Sequence, residues 1–206
     1  MTASGTVRPY AEGDLPALYE ICLRTGNQGD DATDLYPGNP DLLGAVFAAP
    51  YAVLEPELAF VVDDGQGAVG YIVGAADTAT FVRRFRDEWL PTQAARYPEP
   101  TGEITTPEER LRYFLHHMER IDNPEFADYP AHLHIDLLPS HQRGGFGRAL
   151  MTRFLATLRE RGVPGVHLAM GQANRNAYAF YQRMGFQELR LERFPDVIYF
   201  VQRTSD

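Results

Sequence analysis

The stretch HQRGGFGRAL, His141 to Leu150, decides the fold. Before it, AHLHIDLL (131–138) alternates, with Leu133, Ile135 and Leu137 on one face and His132, His134 and Asp136 on the other, as a strand does. After it, GRALMTRFLATLRERG carries Leu150, Phe154 and Leu158 at i, i+4 spacing on a helix that Gly162 ends. A strand, a turn with Gly144, Gly145 and Gly147, and a helix N-terminus present unpaired backbone N–H groups and the positive end of a helix dipole. That combination is an anion site, and phosphate is its natural guest.

Three phosphate-binding designs share this logic. A nucleoside-triphosphate loop needs Gly-Lys-Ser/Thr, whereas Gly147 is followed by Arg148 and Ala149. A dinucleotide fingerprint needs a third glycine where Leu150 stands and an acidic residue about 20 positions on, where the chain reads VHLAMGQ. What remains is the order Gln142-x-x-Gly145-x-Gly147.

The remainder of the chain supplies the frame. RPYAEGDLPALYEICLRTG reads as a short strand, a turn and a helix capped by Asp14 and ended by Gly26. An acidic loop with Asp30, Asp31 and Asp34 follows, then DLLGAVFAA as a second helix. LAFVVDD and AVGYIVGAA form a hairpin around Gly65-Gln66-Gly67. Residues 77–130 form a helical insertion rich in aromatics, Phe81 and Trp89 among them, with Thr106 capping a helix that starts at Pro107. GVHLAM is a strand, NRNAYAFYQRMGF a helix capped by Asn174, and VIYFVQR a last strand. The alternation predicts an α/β sandwich with a mixed sheet, as one domain over 1–206.

Composition narrows the function. The net charge of −9 and the lack of a basic stripe argue against nucleic-acid binding. No apolar run reaches the roughly 18–20 residues of a membrane span, and Met1–Val7 lacks a signal-peptide layout, so a cytoplasmic location is expected. The single Cys22, set among Leu18, Ile21 and Leu23, reads as a core residue in a reducing compartment.

The spacing Gln142-x-x-Gly145-x-Gly147 between strand and helix resembles the pyrophosphate-binding motif of the GCN5-related N-acetyltransferases (GNATs). Asn174, Ala177, Tyr181, Gly185 and Phe186 match that family's second motif. The insertion, DTATFVRRFRDEWLPTQAARYPEP, resembles the acetyltransferase-like C-terminal domains of the O-GlcNAcase family and their free-standing bacterial relatives. The resemblance implies the GNAT fold: a mixed central β-sheet splayed between two strands, flanked by helices, with a helical insertion before the cofactor-binding strand. It implies acetyl-CoA as co-substrate, no metal, and an amine acceptor, either a small molecule or a peptidyl lysine. A homodimer through the last strand is compatible with it. The pyrophosphate would lie on the N–H groups of Arg143, Gly144, Gly145, Phe146, Gly147 and Arg148, with Gln142 and the two arginines as side-chain partners. The pantetheine arm would pair with Leu137 and Leu138, and Asn174 would touch the cofactor or an attendant water. The run LPSH to Gln142 is one residue shorter than the family's commonest form, which shifts the backbone donors by a position.

By the same resemblance, Tyr181 protonates the departing thiolate, and HLH at 132–134 is similar to the histidine pair of the arylalkylamine N-acetyltransferases. A lysine-like ammonium of pKa about 10.4 is neutral in only about one part in a thousand at neutral pH, a deficit of roughly 4 kcal/mol, so a base is required. His132, His134 and Asp136 are the candidates. Metal binding by the same three side chains, a hydrogen-bonded structural role for the histidines, and an orienting role for Asp136 stay open beside it. Asp30, Asp31 and Asp34 read as acceptor contacts or as a solvated turn, and Phe81 and Trp89 as pocket lining or as cover for a sheet face. Three readings follow: an N-acetyltransferase acting by direct attack in a ternary complex, a non-catalytic acyl-CoA-binding or protein-interaction domain, and a nucleotide-binding protein that ATP rather than CoA would occupy.

Overall fold

The computed structural model describes residues 4–205, so the reading of Met1–Val7 lies partly outside the described residues. The chain runs through β1 (Thr6–Pro9), α1 (Leu15–Thr25), α2 (Leu42–Phe47), α3 (Ala49–Leu54), β2 (Phe60–Asp63) and β3 (Ala68–Ala75). The segment between β3 and β4 holds α4 (Thr78–Arg84), a π turn at Phe85–Trp89, α5 (Leu90–Gln93) and α6 (Pro107–His116). Then come β4 (Ala131–Leu137), α7 (Phe146–Glu160), β5 (Gly165–Gly171), α8 (Arg175–Arg183), β6 (Gln187–Leu189) and β7 (Val197–Arg203). The strands form one sheet in the order β1-β2-β3-β4-β5-β7-β6. Every pairing is antiparallel except that of β4 with β5.

The parallel pairing joins only Ala131 to Val166 and His132 to His167. Beyond His132 the two strands part, and this is the splay that the resemblance implied. Apolar side chains cover both sheet faces. One core packs Leu18, Cys22, Tyr51, Phe81 and Leu115 on Val61, Tyr71 and Val73. The other packs Leu150, Phe154 and Leu158 of α7, and Tyr181 of α8, on Phe60, Ile72, Leu133 and Leu168.

Three local departures from the sequence reading have physical causes. DLLGAVFAA forms α2 as read, but a further helix, α3, follows directly with Pro50 in its first turn, where the missing N–H costs nothing, and the chain breaks between the two at Ala48 with φ −132°. Pro91 would clash with the carbonyl of Asp87 in a regular helix, and the π turn Phe85–Trp89 widens the helix there. Asp14 does not cap α1 with its side chain. Its carboxylate instead accepts two hydrogen bonds from Arg8 at 2.7 Å and one from Ala11 N–H at 2.9 Å. Elsewhere the caps are as read: Asn174 accepts from Ala177 N–H at 3.0 Å and Thr106 from Glu109 N–H at 3.1 Å.

Candidate active site

The glycine loop forms a concave row of donors. Arg143 and Gly145 both adopt the left-handed region, with φ +62° and +87°, and this alternation turns successive N–H groups to one side. None of the N–H groups from Arg143 to Arg148 donates to another described residue; the first such bond of α7 is from Ala149 N–H to Gly145 O. Arg143 and Arg148 are exposed, and neither makes an ion pair among the described residues. Six free donors, two free guanidiniums and the start of a four-turn helix suit a polyanion. Phe146 contributes only its N–H, because its ring packs into the core. The Gln142 side chain donates to Leu137 O at 3.0 Å.

The open edge of β4 leads into this loop. Leu138 N–H donates to Val69 O at 2.9 Å, so Leu138 offers no donor to a guest. Strand alternation then turns the N–H groups of Leu137 and Ile135 toward the splay, where β5 is no longer paired. Leu137, not Leu138, therefore holds the free donor at the strand's end.

On α8, Tyr181 is 7% exposed, and among the described residues its hydroxyl has no hydrogen-bond partner. Burial, and then the charge of Asp136, push its pKa above the usual tyrosine value, so the phenol keeps its proton at neutral pH. Ahead of it, the side chain of Asn174 lies against Gly29, and Gln28 lies against Gly171. The acidic loop thus crosses the mouth of the splay. Within that loop Asp31 is engaged by Arg24 at 2.7 Å and by Thr33, whereas Asp30 and Asp34 are exposed.

The polar face of β4 separates its three candidates. His132 is 5% exposed, and both of its ring nitrogens are in use, with Thr78 Oγ1 at 2.8 Å and the Tyr51 hydroxyl at 3.0 Å. Burial holds it neutral, with its pKa well below the ordinary value. His134 is half-buried, bonded through Nε2 to the Tyr51 hydroxyl at 3.1 Å, and flanked by Phe47 with ring centroids 5.3 Å apart. Burial lowers its pKa to about 4. Asp136 accepts from the Tyr71 hydroxyl at 2.6 Å. Burial raises its pKa, and the Tyr71 and Thr25 hydroxyls pull it back only in part. Among the described residues no group of three or more His, Cys, Asp or Glu side chains could hold a metal ion.

The two aromatic candidates of the insertion belong to the core. Phe81 is fully buried and stacked on Tyr51 at 4.3 Å, and Trp89 donates from Nε1 to Ala45 O at 2.9 Å. Neither faces the splay. Tyr51, Tyr71 and Phe47 contact the β4 candidates without having been singled out in the sequence. Tyr51 and Tyr71 are 83 and 65 positions from their partners, so no local pattern reveals them.

Comparison with known proteins agrees with this geometry. Residues 30–186 match the model of the acetyltransferase (GNAT) family. The protein O-GlcNAcase of Rattus norvegicus is 25% identical over 203 residues, which is 97% of this chain but only 22% of that protein. The solved structure of SsHAT is 51% identical and superposes with a TM-score of 0.93, covering 98% of this chain and 100% of that one. The PaiA N-acetyltransferase from Thermoplasma acidophilum, solved in complex with coenzyme A, shares the fold at 12% identity, with a TM-score of 0.57 over 97% of this chain and 99% of that one. With the donor row after β4, the splay and the matched family model in agreement, the chain belongs to the acetyltransferase (GNAT) family.

Proposed function

We propose that this protein is an acetyl-CoA-dependent N-acetyltransferase that moves an acetyl group directly to a primary amine within a ternary complex. The observation that carries the reading is the row of acceptor-free N–H groups from Arg143 to Arg148, which continues the open edge of β4. These donors, with Arg143 and Arg148, fit a pyrophosphate. Acetyl-CoA supplies the thioester as co-substrate.

The chain's own residues account for the remaining steps. Leu137 N–H, free at the end of β4, is the donor available to the thioester oxygen as negative charge develops on it. The amine nitrogen bonds to the carbonyl carbon as the carbon–sulfur bond breaks. Tyr181 gives its proton to the sulfur, and the amine's proton leaves to a base on β4, so the products are the amide and the free thiol.

Magnitudes constrain that base. Direct transfer from a free ammonium of pKa about 10.4 to an imidazole of pKa about 4 would be uphill by roughly 9 kcal/mol. Binding the neutral amine costs roughly 4 kcal/mol, which is the smaller sum. His134 therefore acts after attack begins, when bonding to an electron-poor carbon has made the nitrogen acidic. Asp136 is the second candidate. The half-buried Phe47, 5.3 Å from His134 and backed by the Phe114 ring at 5.7 Å, gives the acceptor an apolar wall.

The test is free-thiol release from acetyl-CoA across a panel of amines, with acetyl-CoA and ATP competed for binding. Acceptor-dependent release that is lost in Tyr181→Phe supports the enzyme. Tight acetyl-CoA binding without turnover on any amine supports a non-catalytic acyl-CoA-binding domain instead, and displacement by ATP rejects both.

A further inference from the structure

A single hydrogen-bonded chain links α4, α3 and β4. Thr78 Oγ1 lies 2.7 Å from Pro130 O and 2.8 Å from His132 Nδ1. His132 Nε2 lies 3.0 Å from the Tyr51 hydroxyl, which lies 3.1 Å from His134 Nε2. Among the described residues, His134 Nδ1 has no hydrogen-bond partner.

Proton counting gives this chain a direction. A carbonyl only accepts, so Thr78 places its single hydroxyl proton on Pro130 O. Thr78 Oγ1 then accepts from His132 Nδ1–H. His132 is buried and neutral, with one N–H already used, so its Nε2 is bare and accepts from Tyr51 O–H. Tyr51 has then no further proton to give, and its oxygen accepts from His134 Nε2–H. The lone pair of His134 is left on Nδ1. The opposite direction would set the lone pairs of Thr78 Oγ1 against those of Pro130 O at 2.7 Å with no proton between them, a repulsive contact even though that carbonyl also accepts from Thr78 N–H at 2.8 Å.

We propose that Tyr51 is a positioning residue that, anchored through His132 and Thr78 to the Pro130 carbonyl, fixes the His134 tautomer so that Nδ1 is the atom able to take a proton. The tautomer follows from the hydrogen-bond chain alone, and its use in transfer to an amine rests on the acetyltransferase reading. Protonation at Nδ1 leaves Nε2–H···O of Tyr51 intact, so no partner rearranges when His134 becomes charged. A base acting through Nε2 would have to break that bond first. The side chain of Tyr51 is also locked by its stacking on Phe81 at 4.3 Å, which leaves its hydroxyl little freedom to turn away.

Histidine-labelled protein observed by long-range proton–nitrogen correlation at neutral pH tests this. His134 is expected to show a pyrrole-type Nε2 and a pyridine-type Nδ1. In Tyr51→Phe, which keeps the stacked ring, and in Thr78→Val, the His134 signals should become those of a tautomer mixture. In the same variants kcat should fall at least about tenfold while KM for acetyl-CoA stays within about twofold. A protonated Nδ1 in the unaltered protein overturns the proposal. So does a loss of kcat with the His134 signals unchanged, which would mark Tyr51 as merely structural, and so does a tautomer mixture with kcat unchanged. If no amine is turned over at all, the acetyltransferase reading fails and the positioning role fails with it, while the nitrogen signals still decide the tautomer.

Discussion

Tyr71 and Asp136 stand directly opposite one another in β3 and β4, and the Tyr71 hydroxyl donates to Asp136 Oδ2 at 2.6 Å. That bond favours the charged carboxylate and works against the burial that raises its pKa. Tyr71→Phe removes the donor and so raises the Asp136 pKa further. If Asp136 takes the proton from the amine, the acid limb of the kcat/KM pH profile moves to higher pH in this variant. An unmoved limb assigns the proton to His134.

Tyr181→Phe separates chemistry from folding. The hydroxyl has no hydrogen-bond partner among the described residues, and the ring is what packs against Phe186 and Phe200. The thermal midpoint is therefore expected to stay within a degree or two. A general acid contributes about 100- to 10,000-fold, so if Tyr181 protonates the thiolate as proposed, kcat should fall by at least about 100-fold with acetyl-CoA affinity kept. Calorimetry and thiol-release kinetics check the two halves independently.

The glycine loop offers a similar separation. A methyl group at Gly147 would meet Phe180 at 3.4 Å, an ordinary contact, so Gly147→Ala should fold normally and still bind acetyl-CoA more weakly by crowding the donor row. At Gly145 the backbone itself is the obstacle, because φ +87° costs a side-chain-bearing residue about 1–2 kcal/mol. Gly145→Ala is expected to lose both stability and affinity. Equilibrium binding measured beside urea unfolding distinguishes the two variants.

Much of the site could be read from the chain because its determinants are local. The alternation of β4, the Leu150–Phe154–Leu158 stripe, the Asn174 cap and the glycine spacing each span fewer than ten residues. The parts that could not be read depend on side chains brought together by tertiary packing. Tyr51 sits in an apolar run that looks like plain core, and only the crossing of α3 over β4 sets its hydroxyl between two histidines. Phe81 and Trp89 have aromatic character suited to a pocket, but which face of α4 and the π turn meets the sheet is a tertiary outcome. The three-residue β6 carries too little pattern to be seen at all.

Trp89→Phe tests the core placement of that residue. The change removes the Nε1–H···O bond to Ala45 and should cost about 1 kcal/mol or more of stability. KM for any amine acceptor is expected to be unchanged. A selective rise in acceptor KM, with stability kept, would return Trp89 to the substrate pocket.

Acid sensitivity follows from the buried imidazoles. His134 has a pKa of about 4 when folded against about 6.5 otherwise, so between these values the unfolded chain binds more protons. Its contribution to stability is intact above pH about 6.5 and falls away as the pH drops toward about 4, by up to roughly 3 kcal/mol. Asp136 has the opposite sign, because its raised pKa lets the folded state bind the extra proton and regain stability as pH falls. His134→Gln should therefore flatten the loss between pH 6.5 and 4, as chemical unfolding at stepped pH would show.

The pairing of β4 with β5 ends after two residues. From Leu133 to Leu137 one edge of β4 is left without a neighbouring strand, and such an edge is a template for any extended chain, including a second molecule of the same protein. A guest that pairs with this edge would shield it from such association. At 100 times its dissociation constant it adds about 2.7 kcal/mol to the folded state. Supply of acetyl-CoA would then set the protein's shelf life, and purification without it should leave a chain that clumps sooner on warming.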